Sequence, residues 1–149
     1  MIEVFIIGSI PKCGIKPETV QEFREAARLL VDRGFVAMNP FDRNHELSRL
    51  VYDRLHFHND QIIQLSDEQY GRLLDSLYYD LRICDAVYLL DNYNEDPIGY
   101  ALLAMAHALG RKICLSDRFF SSHIDRCLTF SFSRRRAYMA HRLPEPCET

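Results

Sequence analysis

Residues 80–110, DLRICDAVYLLDNYNEDPIGYALLAMAHALG, decide the fold of this chain. They contain the end of one helix, an apolar strand at 86–90, an acidic loop and a second helix that ends at Gly110. The strand AVYLL does not alternate apolar and polar side chains, which is typical of a strand buried on both faces of a parallel sheet. The acidic loop 91–97 follows at the carboxyl end of the strand, where open α/β sheets bind ligands. We therefore expect the functional site within reach of that loop.

The first forty residues predict a strand, a helix and a second strand. An apolar run at 2–8 ends in Gly8, and the glycine and prolines that follow predict a turn-rich loop. Residues 17–33 have apolar side chains at helical spacing, and 35–38 form the next apolar run. Because the connections are short, we expect parallel strands and a right-handed crossover.

The middle of the chain predicts two helices, and the sequence pattern of the second is the clearer one. Leucines at helical spacing indicate a short amphipathic helix over 42–55, which the segment 56–60 interrupts. Ser66 and Gln69 form a capping box, which starts a longer helix that ends near Ile83.

The remaining residues complete an alternating pattern. The helix 98–109 is apolar nearly all round, so we expect it to pack between the sheet and another surface, such as a partner subunit. A strand follows at 112–115. Further predicted elements are a short helix at 119–126, a fifth strand at 128–133 and a last helix at 134–143.

This pattern predicts a doubly wound α/β fold with a parallel sheet of four or five strands, flavodoxin-like or Rossmann-like, in the order 2-1-3-4-5. The 149 residues are the size of one domain. We expect a single domain over 1–149, with a core at 2–115 and a C-terminal extension at 116–149.

Composition narrows the class of protein. The net charge of −3 gives no general attraction to nucleic acid, and the short basic run 134–136 is more typical of a solvated surface. No apolar run approaches a membrane span, and the N-terminus does not have the pattern of a signal peptide. The number of cysteines, five, is odd and none forms a Cys-x-x-Cys pair, so a reducing cytoplasm is the expected location.

One histidine pattern suggests a metal. His56, His58 and Asp60 alternate, and His-x-His can chelate a cation on one face of a strand. A third ligand with matching spacing is not evident, so we expect neither a metal nor a cofactor.

Four segments, in the correct order, resemble the nucleoside 2-deoxyribosyltransferase-like superfamily. Residues 5–8 (FIIG) are similar to its Y-I-A-G-P opening, and 27–40 (ARLLVDRGFVAMNP) to its A-x-x-L-x-x-x-G-x-x-V-x-N-P. With one gap, residues 80–90 are similar to its D-L-x-x-L-x-x-C-D-A-V-Y-L-L, and 104–110 are similar to the A-x-A-x-A-L-G that ends a helix. The resemblance covers residues 2–115, with 41–70 unaligned, and is strongest to small uncharacterised members.

The resemblance implies chemistry at an N-glycosidic bond. In that family a glutamate attacks the anomeric carbon of a (deoxy)ribose, and an aspartate handles the proton on the departing base. Asp80 matches the family aspartate, although a surface carboxylate near a helix end is the simpler interpretation of that residue. The glutamate position falls on Leu103 counted from Gly99, or on Leu102 counted from Gly110.

Nearby carboxylates and backbone positions complete the candidate site. Glu95 and Asp96, just before the helix, are the alternative catalytic carboxylates, although a solvated acidic loop is the simpler interpretation of both. Five residues are candidates for ligand binding: Gly8, Ser9, Asn39, Asp91 and Gly99. Of these, Ser9 could contact a phosphate, Asp91 a ribose hydroxyl, and the helix start at Gly99 an anion.

The sequence thus predicts a protein that binds a small nucleoside or nucleotide and could act on an N-glycosidic bond. The alternative is a catalytically inactive relative that serves ligand sensing or protein contact. A homodimer or larger homo-oligomer is expected in either case.

Overall fold

The computed structural model describes residues 1–53 and 62–115. The elements are β1 (Glu3–Ile7), β2 (Cys13–Ile15), α1 (Pro17–Asp32), β3 (Val36–Met38), α2 (Pro40–Arg43), α3 (His45–Val51), β4 (Ile63–Gln64), α4 (Asp67–Ile83), β5 (Ala86–Leu89), a 3₁₀ helix (Asp91–Glu95), α5 (Pro97–Ala108) and β6 (Lys112–Leu115).

The main sheet has four parallel strands in the order β3-β1-β5-β6. This is the predicted order for the first four strands of a flavodoxin-like sheet, so the fold class is confirmed. The crossover through α1 and the crossovers through α4 and α5 run in opposite directions along the sheet. Right-handed connections therefore put α1 on one face and the other two helices on the opposite face.

The centre of the sheet is buried on both faces. Val4, Phe5, Ile6 and Ile7 of β1 are fully buried, and all four residues of β5 are at most 3% exposed. The unbroken apolar run of β5 predicted a strand buried on both faces, and this prediction is confirmed. The candidate site lies at the carboxyl ends of β1 and β5.

A small second sheet was not predicted. β2 lies in the segment predicted as a turn-rich loop, and it pairs antiparallel with β4. The two strands have three residues and two residues, which is too short for an alternating pattern to be visible. Ile15 and Ile63 are nevertheless buried, and Gly14 has a φ of +88°, where glycine is strongly favoured.

The helix predicted over 42–55 is two helices, α2 and α3. Asn44 separates them, because its side-chain oxygen accepts a hydrogen bond from the Leu47 N–H at 2.8 Å and starts α3. The predicted end of that helix lies outside the described residues. So do the His56–Asp60 pattern and every element predicted after 115.

The longest predicted helix is confirmed. At the start of α4, the Gln69 N–H donates to Ser66 Oγ at 3.1 Å, and the Ser66 N–H donates to Gln69 Oε1 at 2.9 Å. Within the described part of the chain, no helix is long and apolar enough to cross a bilayer.

Candidate functional site

Ser9 lies at the carboxyl end of β1, next to the segment that follows β5. Its N–H donates to Asn92 Oδ1 at 3.1 Å, and its hydroxyl donates to Asp96 Oδ2 at 2.5 Å. The residue is only 5% exposed. Two of the predicted site residues, Ser9 and Asp96, are therefore in direct contact at the edge of the sheet where α/β proteins bind ligands.

Asp96 is the N-cap of α5. Its Oδ1 accepts hydrogen bonds from the Ile98 N–H at 2.8 Å and the Gly99 N–H at 3.3 Å. With the Ser9 hydroxyl, one carboxylate receives three donors, so its negative charge is held in one place. The prediction placed Asp96 in a loop ahead of the helix, whereas the structure makes it the residue that starts the helix.

Gly8 and Gly99, both predicted to bind ligand, are positions where backbone and side chains approach closely. A Cβ at Gly99 would lie 1.7 Å from the carbonyl oxygen of Tyr93, so α5 can pack against the 3₁₀ helix only with glycine there. A Cβ at Gly8 would lie 2.7 Å from Phe23 Cζ and 2.8 Å from Leu90 Cδ1. Packing alone accounts for both glycines, and their contact with a ligand stays a prediction.

Tyr70 is a further polar group near Asp96 that the sequence did not reveal. Its hydroxyl donates to the Ile10 carbonyl at 3.2 Å. Burial raises the pKa of Tyr70, and the charge of Asp96 raises it further. In the sequence Tyr70 is indistinguishable from the apolar positions of α4, which explains why the pattern missed it. We use the term crevice for Ser9, Tyr70, Asn92, Asp96 and the start of α5.

Asp91 and Glu95 lie instead in a groove on the α1 side of the sheet. Together with Glu22 and Glu25 they line a cavity of about 500 Å³ whose floor includes Tyr88. Burial raises the pKa of the Glu22 carboxyl, with further contributions from Glu95, Asp91 and Glu25. This acidic groove adjoins the crevice, because Asn92 Nδ2 donates to Glu22 Oε2 at 3.0 Å while its Oδ1 accepts from Ser9.

Asp80 pairs with Arg43 instead of with a residue of the crevice or of the acidic groove. Arg43 donates to both of its oxygens, from Nη2 to Oδ1 at 2.8 Å and from Nε to Oδ2 at 3.2 Å. Asp80 is 3% exposed, so it is not the surface carboxylate of the simpler interpretation. The pKa of Arg43 is raised by its hydrogen bond to Asp80. This ion pair joins α4 to α2.

Asn39 and the two leucines of α5 are also buried. Asn39 Oδ1 accepts from the Phe41 N–H at 3.0 Å and starts α2, next to the Arg43–Asp80 pair. Leu102 is 4% exposed and Leu103 is 1% exposed, so the position expected for a glutamate carries a core side chain. Among the residues described, no group of three or more His, Cys, Asp or Glu side chains is arranged to hold a metal ion.

Comparison with known proteins gives similarity of structure only. No protein-family model matches the chain, and no curated protein matches its sequence. The 2-deoxyribosyltransferase from Bacillus psychrosaccharolyticus superposes with a TM-score of 0.52 at 12% identity, covering 89% of this chain and 95% of that enzyme. The Clostridium botulinum CMP N-glycosidase superposes with a TM-score of 0.44 at 17% identity, covering 87% and 83%.

The sheet order and the crevice at the strand ends define an α/β protein of the doubly wound class. More particularly, the chain has a nucleoside 2-deoxyribosyltransferase-like fold.

Proposed function

We propose that the protein binds a nucleoside or nucleotide in the crevice and acts on its N-glycosidic bond. The observation that carries the proposal is the Asp96 carboxylate, fixed beside Ser9 at the carboxyl ends of β1 and β5. The similarity in fold to a 2-deoxyribosyltransferase supports the choice of substrate.

The position of Asp96 suits the charge that this reaction develops. When the C1′–N bond breaks, the sugar becomes oxocarbenium-like and is stabilised by a nearby anion. Asp96 supplies that anion, and the Ser9 hydroxyl keeps the carboxylate oriented. In hydrolysis, the hydroxyl of a water molecule is added to C1′ and the proton of that water leaves with the base.

The test is release of free base, measured by chromatography, from a panel of nucleosides and nucleoside monophosphates. Asn is as good an N-cap as Asp, so Asp96→Asn removes the charge and keeps α5. We expect this variant to lose about 100-fold or more in rate, as expected for losing a group that stabilises transition-state charge.

Glu95→Gln is the matched control, because Glu95 lies in the acidic groove. Base release that survives in Asp96→Asn but disappears in Glu95→Gln would transfer the catalytic role to Glu95. Loss in Asp80→Asn is informative only if that variant stays folded under the conditions of the assay, because Asp80 is bonded to Arg43 and its replacement should lower stability.

The second candidate function is binding without catalysis, for ligand sensing or contact with a partner. The buried Leu102 and Leu103 favour it, since they stand where the resemblance expects the nucleophilic carboxylate. This candidate predicts a nucleoside-dependent increase in melting temperature with no release of base from any member of the panel. The cytoplasmic location and the homo-oligomeric state stay predictions.

A further inference from the structure

We infer that the crevice takes an uncharged nucleoside in preference to a nucleoside monophosphate. This inference rests on the proposed function and names its substrate class more narrowly. It comes from the way Asp96, the start of α5 and Ser9 are bonded to one another.

The backbone donors that a phosphate would use are already occupied. A helix N-terminus after a parallel strand binds phosphate through its free N–H groups. At α5 the first available N–H groups, of Ile98 and Gly99, both donate to Asp96 Oδ1. The Ser9 hydroxyl donates to Asp96 Oδ2. An anion that belongs to the protein therefore fills this site, and a phosphate would have to displace it.

The charges around the crevice also disfavour a phosphate. A phosphate monoester carries nearly two negative charges at neutral pH. It would lie beside the Asp96 carboxylate, whose charge already contributes to the raised pKa of the Tyr70 hydroxyl. Glu22, which Asn92 connects to Ser9, adds a further carboxylate on the neighbouring side.

Another helix that starts at this edge, α1, is also poorly suited to a phosphate. α1 begins with Pro17, which has no N–H, and Glu18 places a carboxylate in its first turn. The nearby cation Lys12 is paired with Asp67.

A neutral sugar matches the groups that remain. The hydroxyls of Ser9 and Tyr70 already donate, to Asp96 and to the Ile10 carbonyl, so their oxygens are left as acceptors. Ribose hydroxyls can donate to these oxygens, whereas a phosphate dianion has no proton to donate.

The experiment measures binding of 2′-deoxyadenosine, 2′-deoxycytidine and thymidine, and of their 5′-monophosphates, by calorimetry at low salt. We expect at least one nucleoside to bind about tenfold tighter than its monophosphate, as for one desolvated like-charge contact. The ratio should fall at high salt. It should also fall in Asp96→Asn but not in Asp75→Asn, which removes an exposed charge from the middle of α4.

The outcomes separate the two proposals. A monophosphate that binds as tightly as its nucleoside, or tighter, overturns the preference and leaves the proposed function intact. An unchanged ratio in Asp96→Asn overturns the role assigned to Asp96. If no member of the panel binds or is cleaved, the proposed function itself is overturned.

Discussion

Asp96 shows how much one residue's role depends on its bonds. In the sequence it is one of several carboxylates in an acidic stretch, and nothing there distinguishes it from its neighbours. Once its Oδ1 caps α5 and its Oδ2 receives the Ser9 hydroxyl, it becomes the fixed anion of the crevice. Asp91 and Glu95, only a few positions away, face the acidic groove and are largely solvated. Residue type alone could not separate these three.

Gly99 and Gly71 are two helical glycines with opposite predicted responses to alanine. At Gly99 the added Cβ would collide with the Tyr93 carbonyl, so we expect Gly99→Ala to destabilise by about 3 kcal/mol. At Gly71 nothing lies within 4 Å, and alanine should stabilise α4 by about 0.5–1 kcal/mol. Urea unfolding of both variants measures the difference. Equal stabilities would contradict the close approach of α5 to the 3₁₀ helix.

The Arg43–Asp80 pair should matter to stability whether or not Asp80 is catalytic. Asp80→Asn keeps one acceptor but leaves a partly buried guanidinium without its counter-charge. We expect a loss of about 2 kcal/mol, less than for a fully buried pair because the Arg43 side chain is 36% exposed.

The exposed Arg72–Glu46 pair is the control for this prediction. It has the same bidentate geometry, but its side chains are 55% and 38% exposed. Glu46→Gln should therefore change the free energy of unfolding much less than Asp80→Asn does. Similar losses in the two variants would show that burial does not strengthen the Arg43–Asp80 contact.

At the scale of elements, Asn92 connects three of them. Its amide receives the Ser9 N–H at the end of β1 and donates to Glu22 of α1, while its backbone belongs to the 3₁₀ helix. We expect Asn92→Ala to speed hydrogen exchange at the Ser9 amide and to cost about 1–2 kcal/mol. NMR-detected exchange measures the first effect. Asn94→Ala, an exposed position of the same 3₁₀ helix, should leave the Ser9 amide protected.

The elements differ in how far the sequence could predict them. α4 was predictable because the capping box of Ser66 and Gln69 marks its start in the local sequence, and because its leucines recur at helical spacing over several turns. The break between α2 and α3 was not, because residues 42–46 are all polar and show no pattern that marks an interruption, while one side-chain hydrogen bond decides the outcome. β2 and β4 exist only through their pairing, about fifty residues apart in the chain, so no local pattern encodes them. The Arg43–Asp80 pair joins α2 to α4 in the same non-local way.

At the scale of the whole molecule, the order of the strands could be predicted from the sequence. The separation of the carboxylates between the crevice and the acidic groove could not. Short connections and unbroken apolar strands permit few arrangements of a parallel sheet, so the order β3-β1-β5-β6 was accessible from sequence. Which carboxylates share a surface depends on the opposite faces taken by α1 and α5. That placement brings Glu22, Glu25, Asp91 and Glu95 together in one groove. Their mutual repulsion lowers the stability of the folded protein by an amount that depends on pH.

Glu22 allows that loss of stability to be measured. Burial and neighbouring carboxylates raise its pKa in the folded state above the usual 4.5. The folded state therefore binds this proton more tightly than the unfolded state, and stability falls as the pH rises from the unfolded pKa through the folded one. Gln cannot ionise, but it can still accept from Asn92. Glu22→Gln should therefore raise the melting temperature at pH 7 by about 1–2 °C, with a smaller effect near pH 4.

Glu18→Gln on the same helix should have the opposite effect at pH 7. Glu18 lies in the first turn of α1, where a negative charge stabilises the helix dipole, so its removal should lower the melting temperature. Calorimetric melts of the two variants at both pH values, at low and high salt, complete the test. Part of the Glu22→Gln gain should disappear in salt, because salt screens repulsion from Glu95 and Asp91 but leaves the contribution of burial. An equal gain at pH 4 and pH 7 would contradict the assignment, since it would show that the charge of Glu22 is not what destabilises the groove.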